Sequence, residues 1–387
     1  MLAKSRLLRG IFSYGGRAWM GCWAGCLLWL LIAGLMGHAA EPTNWPQFRG
    51  DPQSTGVARG TLPDNLKLLW KFEVPQGAFE GTPAIVDGVA YLGDMDGEVY
   101  ALKLLTGEKL WEHKTESGFI ASPAVFGGLL YIGDFDGRFY CLDTKDGTLK
   151  WGFETGAEID SCPNFFKNQI LVGSQDTTLY CLDAQTGKLA WKYAIEDQIR
   201  CTPTLAGDRV FLAGCDGRLH MIDANRGERV GQVEIGSPTG VTPAAVGDYV
   251  YFGTEAGEFL AINWRESRIA WKFISKVGTQ PYRSSAAATA ELVVVGTRNK
   301  RVYGLHPATG EERWSFAARQ RIDSSPVLLG NRIFCGSADG RLYELNATNG
   351  EKVWEYEAGG AFVGSAAIAD GRMVIANDKG VVFCFGG

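Results

Sequence analysis

Apolar and polar residues alternate along most of this chain in short runs, and each run stops at a pair of turn-forming residues. From Pro83 to His113 the pattern reads PAIV, Asp87-Gly88, VAYLG, Asp96-Gly97, EVYALK, Thr106-Gly107 and the outer segment EKLWEH. Alternation with a period of two predicts half-buried strands. Asp-Gly between two such segments predicts a tight hairpin, because glycine accepts positive φ without a Cβ penalty. The unit therefore parses into four consecutive antiparallel strands.

The second half of this unit recurs. LYCLDAQTGKLAW, from Leu179 to Trp191, has counterparts in VYALKLLTGEKLW ending at Trp111, FYCLDTKDGTLKW at Trp151, VYGLHPATGEERW at Trp314 and LYELNATNGEKVW at Trp354. With Pro83 as the register mark, equivalent positions are Pro123, Pro163, Pro203, Pro243, Ala286, Pro326 and Ala366, spaced by 40 residues except for 43 between Pro243 and Ala286. Four-stranded sheets at a period of about 40 are propeller blades. A straight solenoid would need capping repeats. This chain instead ends on three strands and begins with a lone one, LKLLWKFEV from Leu66 to Val74. The expected fold is all-β, an eight-bladed β-propeller of four-stranded antiparallel blades over residues 66–387, with the N-terminal strand closing the last blade.

Residues around the mark fit that geometry. Thr82, Ser122, Cys162, Thr202, Thr242, Ser285, Ser325 and Ser365 stand immediately before it, and only small side chains fit where inner strands converge on an axis. At the far edge of each blade Trp70, Trp111, Trp151, Trp191, Trp271, Trp314 and Trp354 are expected to fill the wedge between sheets as structural docking residues. Gly231 occupies that place in the fourth repeat.

Charge and cysteine usage narrow the function. The formal net charge is −5, and residues 1–40 contain four basic residues (Lys4, Arg6, Arg9, Arg17) and no acidic one, so without them it becomes −9. That argues against a nucleic-acid partner held by phosphate contacts. Residues 1–40 also hold an apolar run from Ala18 to Met36 and small residues at Gly37, Ala39 and Ala40, which read as a signal peptide, either cleaved or retained as an anchor. Both readings place the body outside the cytoplasm, in the periplasm or cell envelope, or secreted. Residues 41–65 form an irregular, Pro- and Gly-rich lead-in whose two aromatics could pin it to a surface. Seven cysteines follow the leader, an odd number, and Cys141, Cys181 and Cys384 share one repeat position, so they are read as buried small residues rather than bridges or ligands. Four histidines share no metal-ligand spacing.

Asp-Gly, Tyr-x-Leu-Asp, Thr-Gly and Trp at these spacings, seen in full in GSQDTTLYCLDAQTGKLAWKY (Gly173 to Tyr193), resemble the repeat of pyrroloquinoline-quinone-type (PQQ-like) propellers. The resemblance covers about Asn44 to Gly387. It implies the propeller fold and two kinds of function, since one scaffold hosts enzymes and binding proteins. The family's dehydrogenases are longer and hold the quinone with a disulfide of adjacent cysteines, a tryptophan platform, a calcium ion and an aspartate base. This chain has no Cys-Cys pair and no insertion beyond three residues near Lys276 to Ser284. The expectation is therefore a non-enzyme with no cofactor and no metal, similar to the propeller subunit of the outer-membrane β-barrel assembly machinery. It would be a monomeric scaffold for envelope proteins, one candidate partner being an outer-membrane barrel assembly complex. The alternatives are a quinoprotein dehydrogenase or a propeller binding a small ligand or polysaccharide.

Differences among copies concentrate ahead of the mark. Three residues before it stand Glu80, Ile120, Asp160, Arg200, Gly240, Arg283, Asp323 and Val363. One further back is a mostly apolar set that includes Phe79, Phe119 and Tyr282. Alternation turns the two sets to opposite sides, the first toward the channel mouth. Glu80, Asp160, Arg200, Tyr282, Arg283 and Asp323 are the candidate partner- or ligand-binding residues. Asp160 beside Arg200 and Arg283 beside Asp323 are read either as ion pairs across blade seams or as a polar contact surface.

Overall fold

The computed structural model describes residues 43–387. The signal peptide expected over residues 1–40 lies outside the described residues. Among the described residues, 32 strands form eight four-stranded sheets and no helix is present. Seven sheets run in simple sequence order. In the eighth, Lys67–Glu73 pairs antiparallel with Val381–Gly386, next to Arg372–Ala376 and Ala367–Ala369. Residues 84–114 are blade 1, and the eighth blade unites both ends, as the strand count predicts.

The strands of each blade are held by antiparallel ladders, and the outermost pairing carries a bulge. Opposite Cys181 lies Trp191, and the next register pair is Leu182 with Leu189, so Ala190 is skipped. The same skip precedes Trp111, Trp151, Trp271, Trp314 and Trp354. A bulge re-aims the side chain beside it, and here it turns the indole onto the next blade. Trp70, Trp111, Trp151, Trp191, Trp271 and Trp314 each donate Nε1–H to a backbone carbonyl there, for example Trp191 to Ala224 (3.2 Å) and Trp271 to Pro307 (2.8 Å). Their rings cover turn glycines so closely that a Cβ at Gly227 would meet Trp191 at 2.4 Å. Trp354 instead packs on Tyr356 and Phe385 in the closing seam.

One seam departs from this. Gly231 of blade 4 faces Met221, and the turn it would cover in blade 5 carries Trp264 and Ser267 in place of a small residue and glycine. Trp264 reaches back to Phe211 of blade 4, with ring centroids 5.6 Å apart, much as Tyr131 meets Trp151 at 5.9 Å within blade 2.

The buried thiols are inert packing groups. Cys141, Cys181, Cys201, Cys335 and Cys384 are free, and burial pushes each up to about 12.

The lead-in does more than rest on a surface. Its backbone pairs with the innermost strands of six blades, at Ile85, Val125, Leu205, Ala245, Ala288 and Leu328. Asn164 of blade 3 donates to the Pro52 carbonyl (2.8 Å), and Thr43 exchanges bonds with Asp370 of blade 8. The segment thus crosses the ring and satisfies inner edges that would otherwise be open. At its centre Arg49 is fully enclosed and donates to the Ala286 and Pro326 carbonyls. Its Nε and Nη1 have no partner among the described residues, and burial lowers its pKa to about 9. Gly56 is obligatory beside it: φ is +66°, and the guanidinium fills the space a Cβ would take.

Candidate functional site

On the axis, at the end where chains enter the inner strands, lies a funnel-shaped cavity of about 320 Å³. Its floor begins with a belt. The N–H of Thr82 donates to Ser122 Oγ (2.8 Å), Ser122 to Cys162 Sγ (3.1 Å), Cys162 to Thr202 (3.2 Å) and Thr202 to Thr242 (3.0 Å). Thr242 continues to Ser285 (3.0 Å), Ser285 to Ser325 (2.9 Å), Ser325 to Ser365 (2.9 Å), and Ser365 returns to Thr82 (3.0 Å). Small residues ahead of the mark are thus required twice over: they fit the axis, and seven of them supply a hydroxyl that accepts the neighbouring blade's amide. The eight belt groups are buried yet border the cavity, which Phe48 of the lead-in also lines.

Above the belt the wall consists of Glu80, Ile120, Asp160, Arg200, Gly240, Arg283, Asp323 and Val363, one from each blade. These eight lie in the segments that lead into the inner strands, and their shared repeat position brings all of them to one cavity, including five of the six candidate residues. Tyr282 is the exception and a correction. It is 2% exposed, belongs to the alternate set, and packs between blades on Gly253 and Phe259.

The charged residues pair differently from the expectation of Asp160 with Arg200 and Arg283 with Asp323. Asp323 accepts from Arg298 (2.8 and 3.0 Å) and Arg321 (2.9 Å), whereas Arg283 pairs with Glu255. Asp160 accepts from Gln175 (3.0 Å), and Arg200 donates only to the Gln198 amide oxygen (2.7 and 3.1 Å). Gln175, Glu255, Arg298 and Asp378 occupy one further repeat position, at the start of the second hairpin turn, and three of them supply the partners of Asp160, Arg283 and Asp323. The 40-residue alignment carried the signal for this second variable position, one hairpin beyond the first.

Electrostatically the funnel has two sides. Glu80 makes no hydrogen bond to any described residue. Burial first, then Asp378, Asp323 and Asp160, raise its pKa. Burial and the carboxylate of Asp160 likewise raise the Glu158 pKa, and the buried Asp160 Oδ1 has no hydrogen-bond partner among the described residues. Arg200 and Arg283 line the other side.

These donors do not fit the quinone and calcium of the family's enzymes. Phe48 is the one aromatic in the lining, Cys162 the one thiol, and the described residues contain no cluster of three side chains suited to a metal ion. On the opposite face a larger depression of about 890 Å³ runs beside Pro46 and Gln47, floored by the stacked pair Phe126 and Phe165.

The family described as outer membrane protein assembly factor BamB matches this chain over residues 56–164, 152–273 and 267–385. Among curated proteins none matches it by sequence. The fold is similar to that of BamB from Moraxella catarrhalis, at 20% identity and a TM-score of 0.71, covering 84% of this chain and 98% of that one. It is equally similar to quinohemoprotein alcohol dehydrogenase from Comamonas testosteroni, at 15% identity and 0.75, covering 89% and 81%. A computationally designed protein, Ika8, aligns at 18% identity and 0.74, covering 83% and 100%.

Proposed function

The chain belongs to the PQQ-like propeller family described as outer membrane protein assembly factor BamB, and from that membership we propose that it is a non-catalytic, extracytoplasmic scaffold that binds envelope proteins at its funnel. The observation that carries this reading is the wall of the cavity. A regular frame presents eight positions whose residues vary around the ring, with charges of both signs, above a closed belt of hydrogen bonds. Variable residues held on a rigid frame are the usual arrangement for recognition. The basic and apolar character of residues 1–40 supports a location in the periplasm or cell envelope, where a barrel-assembly complex is the candidate partner.

Affinity purification of the tagged full chain from membranes tests this. An outer-membrane barrel protein is expected to copurify, and Arg200→Ala combined with Arg283→Ala is expected to reduce its recovery without lowering the unfolding midpoint. Unchanged recovery with the double variant refutes the funnel as the contact. Dye-linked alcohol oxidation after adding pyrroloquinoline quinone and Ca²⁺ refutes the non-catalytic reading.

A further inference from the structure

Three charged wall residues of the funnel lack a partner of opposite charge among the described residues: Glu80, Arg200 and Asp160, the last accepting only from the Gln175 amide. Asp323 is held by Arg298 and Arg321, and Arg283 by Glu255. Glu80 has no hydrogen-bond partner among the described residues, and Arg200 meets only a neutral amide oxygen. They stand on blades 1 and 4 and border the same cavity. A half-buried charge without a counter-charge carries part of the cost of burial, and both side chains are accessible from the cavity to groups that come from outside.

Their surroundings give each a distinct character. Beside Arg200, Gly240 contributes no side chain, and the Thr202 and Thr242 hydroxyls already accept an amide proton, which leaves their own protons to donate into the cavity. That side supplies a guanidinium and two hydroxyl donors, as a carboxylate requires, with the carboxylate of Asp160 on the preceding blade bordering it. Glu80 sits between Ile120 and Val363 on the neighbouring blades, and the nearest charges it feels are carboxylates. That side offers an anion in a partly apolar wall, as an ammonium on an alkyl frame requires. The cavity, about 320 Å³, is at the small end of the range for small-molecule sites.

We propose that the funnel binds a compact zwitterion, with its cationic nitrogen at Glu80 and its carboxylate at Arg200 and the adjoining hydroxyls. The source is either a free aliphatic amino acid or a short peptide segment that carries both charges. This deepens the scaffold reading, because a peptide source makes the partner's inserted segment the ligand.

Calorimetric titration of the full chain at neutral pH tests it with four probes: L-leucine, leucinamide, N-acetyl-leucine and the capped peptide acetyl-Lys-Gly-Asp-amide. Binding of leucine or of the peptide is expected, and which one binds identifies the source. Arg200→Gln should weaken that ligand about tenfold or more but leave leucinamide unaffected, and Glu80→Gln should do the same while leaving N-acetyl-leucine unaffected. Binding should also weaken as pH falls and Glu80 takes up a proton. Absence of heat with every probe at millimolar concentration overturns the proposal, as does affinity unchanged by both substitutions or reduced equally for all probes. The scaffold reading fails separately, when partner recovery ignores the Arg200 and Arg283 double substitution while leucine still binds.

Discussion

At the seam between blades 3 and 4, Trp191 covers Gly227; one step round the ring, Gly231 leaves the same wedge empty and the opposite turn carries Ser267. Three further residues follow from that one loss. Met221 replaces the small residue that faces the indole elsewhere (Ala101, Cys141, Cys181, Ala261), and Trp264 enters the gap from the other blade to reach Phe211. Ser267 keeps a positive φ of 51° without being glycine. The conserved geometry of the turn therefore does not itself demand glycine. The six turn glycines are held by the indole lying on them, and the ring needs a filled wedge more than it needs a tryptophan at a set position.

The largest effect should come from emptying a regular wedge. Trp314 is 7% exposed and hydrogen-bonded to Ala347, so Trp314→Ala should cost about 3–5 kcal/mol in denaturant unfolding. Next, Gly310→Ala puts a Cβ at 2.4 Å from Trp271 at a φ of +73°, and should cost about 1–3 kcal/mol by the same measurement. Trp264→Ala, at a half-exposed site, should cost about 1–2 kcal/mol, and a loss as large as that of Trp314 would mean that the irregular seam relies on its one indole as heavily as the regular seams do.

A pH effect separates the same two regions. Where blades 1 to 3 have Tyr100, Tyr140 and Tyr180 bonded to an aspartate, blade 4 has His220, which is 2.9 Å from Asp216 and bonded to Tyr193. Burial lowers the His220 pKa, against the opposing pull of Asp216. The unfolded chain then takes up the proton first, so stability is lost as pH falls below the ordinary histidine value of about 6.5. His220→Tyr should flatten that acid-side decline in urea midpoints measured between pH 7.5 and 5. Smallest of all, Ser267→Gly should change stability by less than about 0.5 kcal/mol, because no ring lies over that turn.

What repeats was legible in the sequence, and what occurs once was not. The strands, the hairpin turns, the closing strand and the wall positions from Glu80 to Val363 all follow from alternation laid over a fixed period. Tyr282 was misassigned as a contact residue, although its place in the repeat already put it with Phe79 and Phe119 on the packing side. The partners of Asp323 and Arg283 were not legible, because an ion pair depends on side-chain reach between neighbouring turns rather than on strand register. Nor was the course of residues 43–58 across the ring. No periodic pattern marks a segment whose hydrogen bonds go to partners as distant as Ala288 and Leu328.

That segment also imposes an order in time. It is the first part of the described chain to be made, yet its last backbone partner lies at Leu328, and the strand that follows it must wait for Val381–Gly386. Loops of this length close slowly, and contacts so far apart in sequence form late. Blades can form as local units while the chain emerges, but sealing the ring and seating the lead-in are left to the end. Cutting the final six residues should therefore leave most blades intact and the protein still open.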